Sequence, residues 1–335
     1  MTKVESVHAH WAGAFDVVQD VEGWQEFRRL DTELLMPPFT DGLADMAQMT
    51  AGIRATWTAS SGRLTLKAEG TADCSPIDVL VDGKLAHRIP AAGRLSHTLE
   101  LGTLPAGAKV QLWLPQFGRF RVLHASLQGE DVQSVQESGK RWLAYGSSIT
   151  HCREAAGPSE TWPALVARKL GWELQSLGFA GECQLDPAAA RTIQRLPADV
   201  ISLCLGINSY NAAAFSLRSY ASQVLGFISN ILTAHPDVPL VVITPVLSLP
   251  REATHNAVGS TLADYREATA GVVAYLQRRS GEARIHLVDG GAVLTEAEAL
   301  AHMPDTLHPD NAGYRLMAER LGPRLAAAAA NGPKD

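Results

Sequence analysis

Five nearly uninterrupted apolar runs in the second half of the chain most constrain its fold. They are RWLAYG (141–146), ELQSLGF (173–179), DVISLCLGI (199–207), PLVVITPV (239–246) and ARIHLVDG (283–290). Runs without alternation of polar and apolar residues are typical of strands that are buried on both faces of a parallel sheet. Stretches of helical length and pattern lie between and after them, at 162–170, 217–235, 261–279 and 312–330. The pattern predicts a three-layer α/β domain over residues 140–330.

The first 135 residues contain short strand-like segments, and none of them has helical periodicity. GIRATWTA (52–59) alternates, and a Ser-Ser-Gly turn separates it from GRLTLKAEG (62–70). IDVLV (77–81) and KLAHRI (84–89) flank Asp82-Gly83, which is a two-residue hairpin signal because such turns require positive φ. Further segments follow at 96–101, 109–114 and 120–127. We predict an all-β sandwich domain over residues 1–135.

Length, charge and cysteine spacing exclude several classes of protein. A length of 335 residues suggests two domains, or one large α/β unit with an extension. A net charge of −6 argues against nucleic acid or an anionic membrane as the main partner. The cysteines, Cys74, Cys152, Cys183 and Cys204, form no C-x-x-C pair, which indicates reduced thiols. No run approaches the roughly 18 apolar residues of a membrane span, and the N-terminus lacks the apolar core of a secretory signal. We predict a cytoplasmic protein, although a secreted form without its signal would show the same features.

Two consecutive hydroxyl groups follow the first apolar run. Ser147 and Ser148 stand between the end of that predicted strand and the start of a helix. A serine in this position commonly caps the helix by accepting hydrogen bonds from free amides. A serine there can also be a nucleophile, but it then needs a base and a group that orients the base.

A base and its orienting group occur together near the end of the chain. Asp305 and His308 lie three residues apart in PDTLHPDNAGY (304–314). An Asp at this spacing can accept the Nδ1 proton of the imidazole through a turn, which leaves Nε2 free to take a proton from a serine. The same spacing is common in surface loops, so its meaning depends on where the loop lies.

Candidate donors to an oxyanion follow the second and third apolar runs. Gly178 and Gly181 lie in SLGFAGEC, and Gly206 and Asn208 lie in CLGINSY. Glycines allow backbone amides to approach a substrate closely, and an Asn side-chain amide is an established oxyanion donor. Both residue types are also frequent in turns. These groups gain significance because all of them follow strand ends, where open α/β sheets bind their ligands.

With these motifs in this order, the segment from Trp142 to near Leu325 resembles the SGNH hydrolases, also called GDSL-type esterases and lipases. The family's Gly-Asp-Ser block reads Gly-Ser-Ser at 146–148, and its Gly-x-Asn block is present at 206–208. The glycine of the second block matches Gly181, and Asp-x-x-His-Pro is complete at 305–309. Ser147 stands where the family commonly has Asp, and Ser176 stands where it often has Asn. Neither change removes a catalytic group.

The resemblance implies a role for each matched residue. Ser148 is expected to be the nucleophile, His308 the base and Asp305 the residue that orients the base. The oxyanion hole is expected to consist of Ser148, Gly181 and Asn208. The expected fold is a flavodoxin-like α/β/α domain with a parallel sheet, and the preceding sandwich, expected to be jelly-roll-like, resembles that of two-domain carbohydrate esterases.

We therefore predict an ester hydrolase that removes a short acyl group, with acetyl favoured, from a small-molecule or carbohydrate carrier. Two alternatives stay open: an acyltransferase with the same triad, and a glycan-binding protein whose hydrolase half is inert. No metal-ligand spacing and no nucleotide-binding motif occurs, so no cofactor or metal is expected. Cys152 is expected to pack and His151 to be solvated. The oligomeric state is left open, a homo-oligomer included.

Overall fold

The computed structural model describes residues 4–280 and 284–330, and the chain divides into two compact units. The first unit contains the residues up to Arg29 together with Ala47–Gly139 and Ala156–Ser159. The second contains Leu30–Met46, Lys140–Ala155 and the residues from Glu160 onward. Residues 30–46 thus group with the second unit although they precede its predicted start. The division of the chain into separate domains at residues 1–135 and 140–330 remains a prediction.

The first unit is an antiparallel β-sandwich, as its alternating segments predict. Its strands are β1 (Val4–His8), β2 (Trp11–Ala12), β3 (Asp16–Gln19), β4 (Gln25–Arg28), β5 (Arg54–Gly70), β6 (Ile77–Val81), β7 (Lys84–Ile89), β8 (Gly93–Trp113), β9 (Phe120–Glu130) and β10 (Gln133–Ser134). The main path of pairing runs β3-β4-β9-β5-β8-β6-β7. Strand β1 pairs with β9, while β2 and β10 pair with β5.

Strand β5 corrects one prediction, because the Ser-Ser-Gly segment is not a turn. The chain continues through it as a single strand of 17 residues, and the pairing with β8 shifts register between Ala59 and Ser61. Trp57 faces the core before this irregularity and Leu64 and Leu66 face it afterwards, all at 1% exposure or less. A one-residue slip exchanges the two faces of a strand. The irregularity therefore keeps both halves of β5 facing one core.

The Asp-Gly hairpin is confirmed, and one short helix was missed. Strands β6 and β7 have the predicted bounds, and Asp82 and Gly83 between them have φ of 47° and 73°. Helix α1 (Asp41–Ala47) and a 3-10 turn at Thr32–Leu34 lie in the half that was predicted to have no helix. Seven residues make only two helical turns, which is too short for a 3.6-residue period to stand out.

The second unit has the predicted alternation of strands and helices. Its elements are β11 (Arg141–Gly146), α2 (Ser148–His151), α3 (Trp162–Leu170), β12 (Glu173–Gly178), α4 (Pro187–Arg195), β13 (Val200–Cys204), α5 (Ile207–Asn211), α6 (Leu217–Ala234), β14 (Leu240–Ile243), α7 (Leu249–Ala253), α8 (Leu262–Ser280), β15 (Ile285–Val288), α9 (Glu296–His302) and α10 (Asn311–Ala330), with a 3-10 turn at Gly290–Ala292. A further 3-10 turn, Pro158–Glu160, begins in the residues that group with the first unit. All five apolar runs form strands; residue 283, at the start of the last run, lies outside the described residues.

The five strands form one parallel sheet in the order β12-β11-β13-β14-β15. Helix α3 packs with α10, while α4, α6 and α8 pack in succession. Strand β11 lies between β12 and β13, and its last residue, Gly146, is opposite Gly178 on one side and Cys204 on the other. The carboxyl ends of these three strands therefore lie side by side. Within the described parts of the chain, no helix is long and apolar enough to cross a membrane.

Close packing of α2 against β12 requires a glycine at position 178. A Cβ there would lie 2.7 Å from both His151 Cα and the Thr150 carbonyl carbon. These are backbone atoms, which cannot move aside as the end of a side chain can. Gly178 thus allows the helix that begins at Ser148 to lie directly against the neighbouring strand.

We expect Gly178→Ala to destabilise the protein by about 1–3 kcal/mol, the usual cost of overpacking a dense core. Gly226, which is exposed within α6, is the matched control, because a Cβ at this position would meet no neighbouring atom within 4 Å. Gly226→Ala should stabilise by about 0.5–1 kcal/mol because alanine favours the helix. Urea midpoints of the two variants should move in opposite directions. A Gly178→Ala midpoint equal to that of the unmodified protein would contradict the packing argument.

Candidate active site

The two serines after β11 have different positions in the turn. Ser147 is the N-cap of α2, with extended backbone, and its Oγ accepts a hydrogen bond from the Ile149 amide at 3.3 Å. Ser148 is the first residue of the helix and is 8% exposed. The capping interaction therefore belongs to Ser147, and the hydroxyl of Ser148 is left for another partner.

That partner is an imidazole from the far end of the chain. The Nε2 atom of His308 lies 2.8 Å from Ser148 Oγ, and its Nδ1 atom lies 2.6 Å from Asp305 Oδ2. The three side chains form one continuous series of hydrogen bonds from carboxylate to hydroxyl. The structure thus brings together the three residues that the sequence analysis selected for nucleophile, base and orienting group.

Asp305 stays ionised in this arrangement. Burial raises the pKa of its carboxyl group, but hydrogen bonds from His308 and from the Leu307 amide outweigh burial and lower the pKa to about 2. Two of these bonds come from the backbone, since Oδ1 accepts from the amides of Leu307 at 2.9 Å and His308 at 2.7 Å. A carboxylate with a lowered pKa contributes to stability above its unfolded pKa and loses that contribution only as pH falls towards 2.

The 305–308 loop contains a strained residue that the sequence did not reveal. Thr306 is β-branched and has φ of 64°, in the left-handed region that such residues rarely occupy. Its carbonyl accepts hydrogen bonds from Ser248 Oγ at 2.7 Å and from Arg251 Nη1 at 3.2 Å. Its amide donates to Met303 O at 2.8 Å. Contacts from outside the loop therefore stabilise the conformation that aligns Asp305 with His308.

The loop after β12 offers a backbone donor at Gly181. This glycine has φ of 78°, which a residue with a side chain would adopt only with strain. The Phe179 amide donates to Gly146 O at 2.8 Å, and the Glu182 amide donates to Phe179 O at 3.1 Å. Among the described residues, none accepts a hydrogen bond from the amides of Gly181 or Ser148. Both amides are therefore available to an incoming group.

Asn208 has an orientation that leaves its donor free. It is the second residue of α5 and is 6% exposed. Its Oδ1 atom accepts a hydrogen bond from the Cys183 amide at 3.1 Å. Because that contact identifies the oxygen, Nδ2 is the atom available for donation. The same bond ties the loop after β12 to the helix after β13.

The predicted surroundings of two neighbours of Ser148 are correct for Cys152 and wrong for His151. Cys152 is fully buried, as a packing residue would be, and burial raises the pKa of its thiol well above the ordinary value. His151 was expected to be solvated, but it is also fully buried. Its Nδ1 atom accepts a hydrogen bond from the Ala180 amide at 3.4 Å, next to Gly181. The sequence carried no signal for this contact, because it joins the end of helix α2 to a loop residue 29 positions away.

Residues 144–316 match the sequence model of the GDSL-like Lipase/Acylhydrolase family. No curated protein matches the chain. Among solved structures, a salicylyl-acyltransferase, SsfX3, from a tetracycline biosynthetic pathway is 32% identical with a TM-score of 0.85, and the match covers 98% of both chains.

Two further solved structures share the fold at lower identity. A family two carbohydrate esterase from Cellvibrio japonicus is 16% identical with a TM-score of 0.65, over 98% of this chain and 99% of that chain. The acetyl xylan esterase Est2A from Butyrivibrio proteoclasticus is 12% identical with a TM-score of 0.57, over 82% of this chain and 90% of that chain. The family match spans more than half of the residues and includes every candidate site residue. The chain therefore belongs to the GDSL-like lipase/acylhydrolase family and is an enzyme of the esterase/acylhydrolase class.

Proposed function

We propose that the protein hydrolyses esters of a short acyl group, with acetyl favoured, on a polar carrier such as a carbohydrate. The observation that carries this proposal is the series of hydrogen bonds from Asp305 through His308 to Ser148. Such a series activates a hydroxyl as a nucleophile because the imidazole can accept its proton. The likeness to carbohydrate and acetyl xylan esterases supports the choice of carrier and acyl group.

In the proposed reaction, Ser148 Oγ attacks the ester carbonyl while His308 Nε2 takes the hydroxyl proton. Asp305 holds the imidazole in the tautomer with hydrogen on Nδ1 and stabilises the imidazolium that forms. The negative charge on the carbonyl oxygen is met by the amides of Ser148 and Gly181 and by Nδ2 of Asn208. His308 then protonates the leaving alcohol, and a water molecule, activated by the same imidazole, releases the acyl group from Ser148.

An acyltransferase is the second candidate, and the salicylyl-acyltransferase, with 32% identity over 98% of both chains, favours it. The same acyl-enzyme would form, but a hydroxyl acceptor would take the place of water. Incubation with an activated acyl ester and sugar or aromatic alcohols separates the two candidates. Acylated alcohol would indicate transfer, and free acid alone would indicate hydrolysis.

An organofluorophosphonate probe tests the proposal before any substrate is known, since it reacts with activated serines. We expect one adduct, located on Ser148 by intact mass and peptide mapping. Ser147→Ala is the matched control and should keep the adduct, while Ser148→Ala should lose it. Absence of an adduct on folded protein would contradict the proposed nucleophile. Glycan binding by the first unit would then become the favoured function.

Substitution of Asn208 tests the oxyanion donor. Removal of one donor in such sites costs about 10²–10³ in rate, so Asn208→Ala should lower kcat by that factor. It should also lower the free energy of unfolding by about 1–3 kcal/mol, because the buried Cys183 amide loses its acceptor. Asn208→Asp keeps an oxygen for the Cys183 amide but has no donor, and should be at least as slow. If the Asn208→Asp variant kept nearly full activity, the role of Asn208 would be to hold the loop after β12 and not to stabilise the oxyanion.

The pH profile tests the base. A protonated His308 cannot accept the serine proton. We expect kcat/KM to fall as pH is lowered, with a slope of one proton. Asp305, with its pKa at about 2, should add no further fall above about pH 4. A profile without this one-proton fall would contradict the role of His308.

A further inference from the structure

Arg251, in helix α7, bridges two parts of the candidate active site. Its Nε atom donates to Asn211 Oδ1 at 3.1 Å, at the end of the helix that carries the proposed oxyanion donor. Its Nη1 atom donates to Thr306 O at 3.2 Å and to Ser248 Oγ at 3.0 Å. Thr306 belongs to the 305–308 loop. The guanidinium group therefore lies between the helix on one side of the site and the loop on the other.

The charge of Arg251 has no counterion among the described residues. All of its partners are neutral: an amide oxygen, two hydroxyls and a backbone carbonyl. The adjacent carboxylate of Glu252 is engaged by Arg266, which donates to its two oxygens at 2.6 and 2.9 Å. Arg320 is likewise paired with Glu298. Arg251 differs from these paired arginines in holding a positive charge that only neutral acceptors contact.

One nitrogen of Arg251 remains for a ligand. With Nε held by Asn211 and Nη1 held by Thr306 and Ser248, no described residue accepts a hydrogen bond from Nη2. Arg251 is half-buried, while Asn211 and Thr306 are exposed, so a solute can reach this position. A planar guanidinium held at two nitrogens is preorganised for carboxylate or phosphate oxygens.

We propose that Arg251 binds an anionic group, a carboxylate or a phosphate, on the alcohol portion of the ester substrate. This inference rests on the proposed function and narrows its substrate class. The leaving alcohol must lie beside His308 Nε2 to receive its proton, and Arg251 contacts the same 305–308 loop at Thr306. On the basis of this shared loop, we assign the anion to the side of the leaving group. Substrates of this class include esters of uronic acids, hydroxy acids and sugar phosphates.

Paired esters test the charge requirement in the full-length protein. We compare 4-acetoxybenzoate, which has a carboxylate on its alcohol portion, with its neutral methyl ester, and with monophenyl succinate, which has the carboxylate on the acyl portion. Arg251→Gln should lower kcat/KM about 10- to 100-fold for 4-acetoxybenzoate, the usual effect of losing a charge-assisted hydrogen bond. The methyl ester should lose clearly less activity than 4-acetoxybenzoate, because it offers no charge for Arg251 to bind. Any loss that it does show measures the support that Arg251 gives to the 305–308 loop.

Two further variants separate charge from folding. Arg251→Lys should recover part of the activity on 4-acetoxybenzoate, since it restores the charge without the planar group. Arg218→Gln removes the same charge from an exposed position on α6 and should leave both rates unchanged. An equal loss on 4-acetoxybenzoate and its methyl ester would overturn the proposal and leave Arg251 as a positioning residue. A loss confined to monophenyl succinate would overturn the assignment to the alcohol side.

A binding measurement keeps this test independent of catalysis. In the Ser148→Ala background the ester is not consumed, so calorimetry gives its Kd directly. We expect 4-acetoxybenzoate to bind at least tenfold more weakly when Arg251→Gln is added to Ser148→Ala. The methyl ester should bind equally with and without Arg251→Gln. Equal Kd values for 4-acetoxybenzoate would overturn the inference, even if Ser148 reacts with the fluorophosphonate. Failure of that labelling would count against the proposed function alone.

Discussion

The parallel pairing of β11 between β12 and β13 is the constraint on which the candidate site depends. Gly146 lies opposite Gly178 and Cys204, so the loops that follow the three strands begin at one edge of the sheet. The side chains of β11 from Trp142 onward are buried. A slip of one residue would exchange the two buried faces and place Leu143 and Tyr145 where Trp142 and Ala144 pack, so close packing specifies this register. Hydrophobic packing thereby determines where Ser148 stands relative to Gly181 and Asn208.

Hydrogen bonds between distant segments then hold the polar groups in place on that edge. The Cys183 amide holds Asn208, the Ala180 amide contacts His151, and Ser248 holds the carbonyl of Thr306. Each such bond contributes only about 0.5–1.5 kcal/mol to stability. Their value lies in orientation, since each fixes a donor or an acceptor near Ser148. The Ser248 contact also opposes the strain of about 1–3 kcal/mol that a left-handed Thr306 carries.

Much of the fold could be predicted because its signals are local. Continuous apolar runs identified all five strands of the parallel sheet, and Asp82-Gly83 identified the hairpin between β6 and β7. The continuity of β5 could not be predicted from Ser60-Ser61-Gly62, because a strand irregularity and a turn use the same residues. Only pairing with β8 and β9 on either side decides between them. Helix α1 was too short to show a period.

The sequence by itself determined which groups are present and in what order they follow the strands, because residue type and spacing are properties of the chain. It selected Ser148, Asp305 and His308, but it could not decide that a hydroxyl and an imidazole 160 positions apart meet at 2.8 Å. Tertiary structure alone decided that contact and the burial of His151. It also gave Arg251 only neutral partners. Each of these outcomes depends on which distant segments the packed sheet brings together, and local patterns contain no information about that.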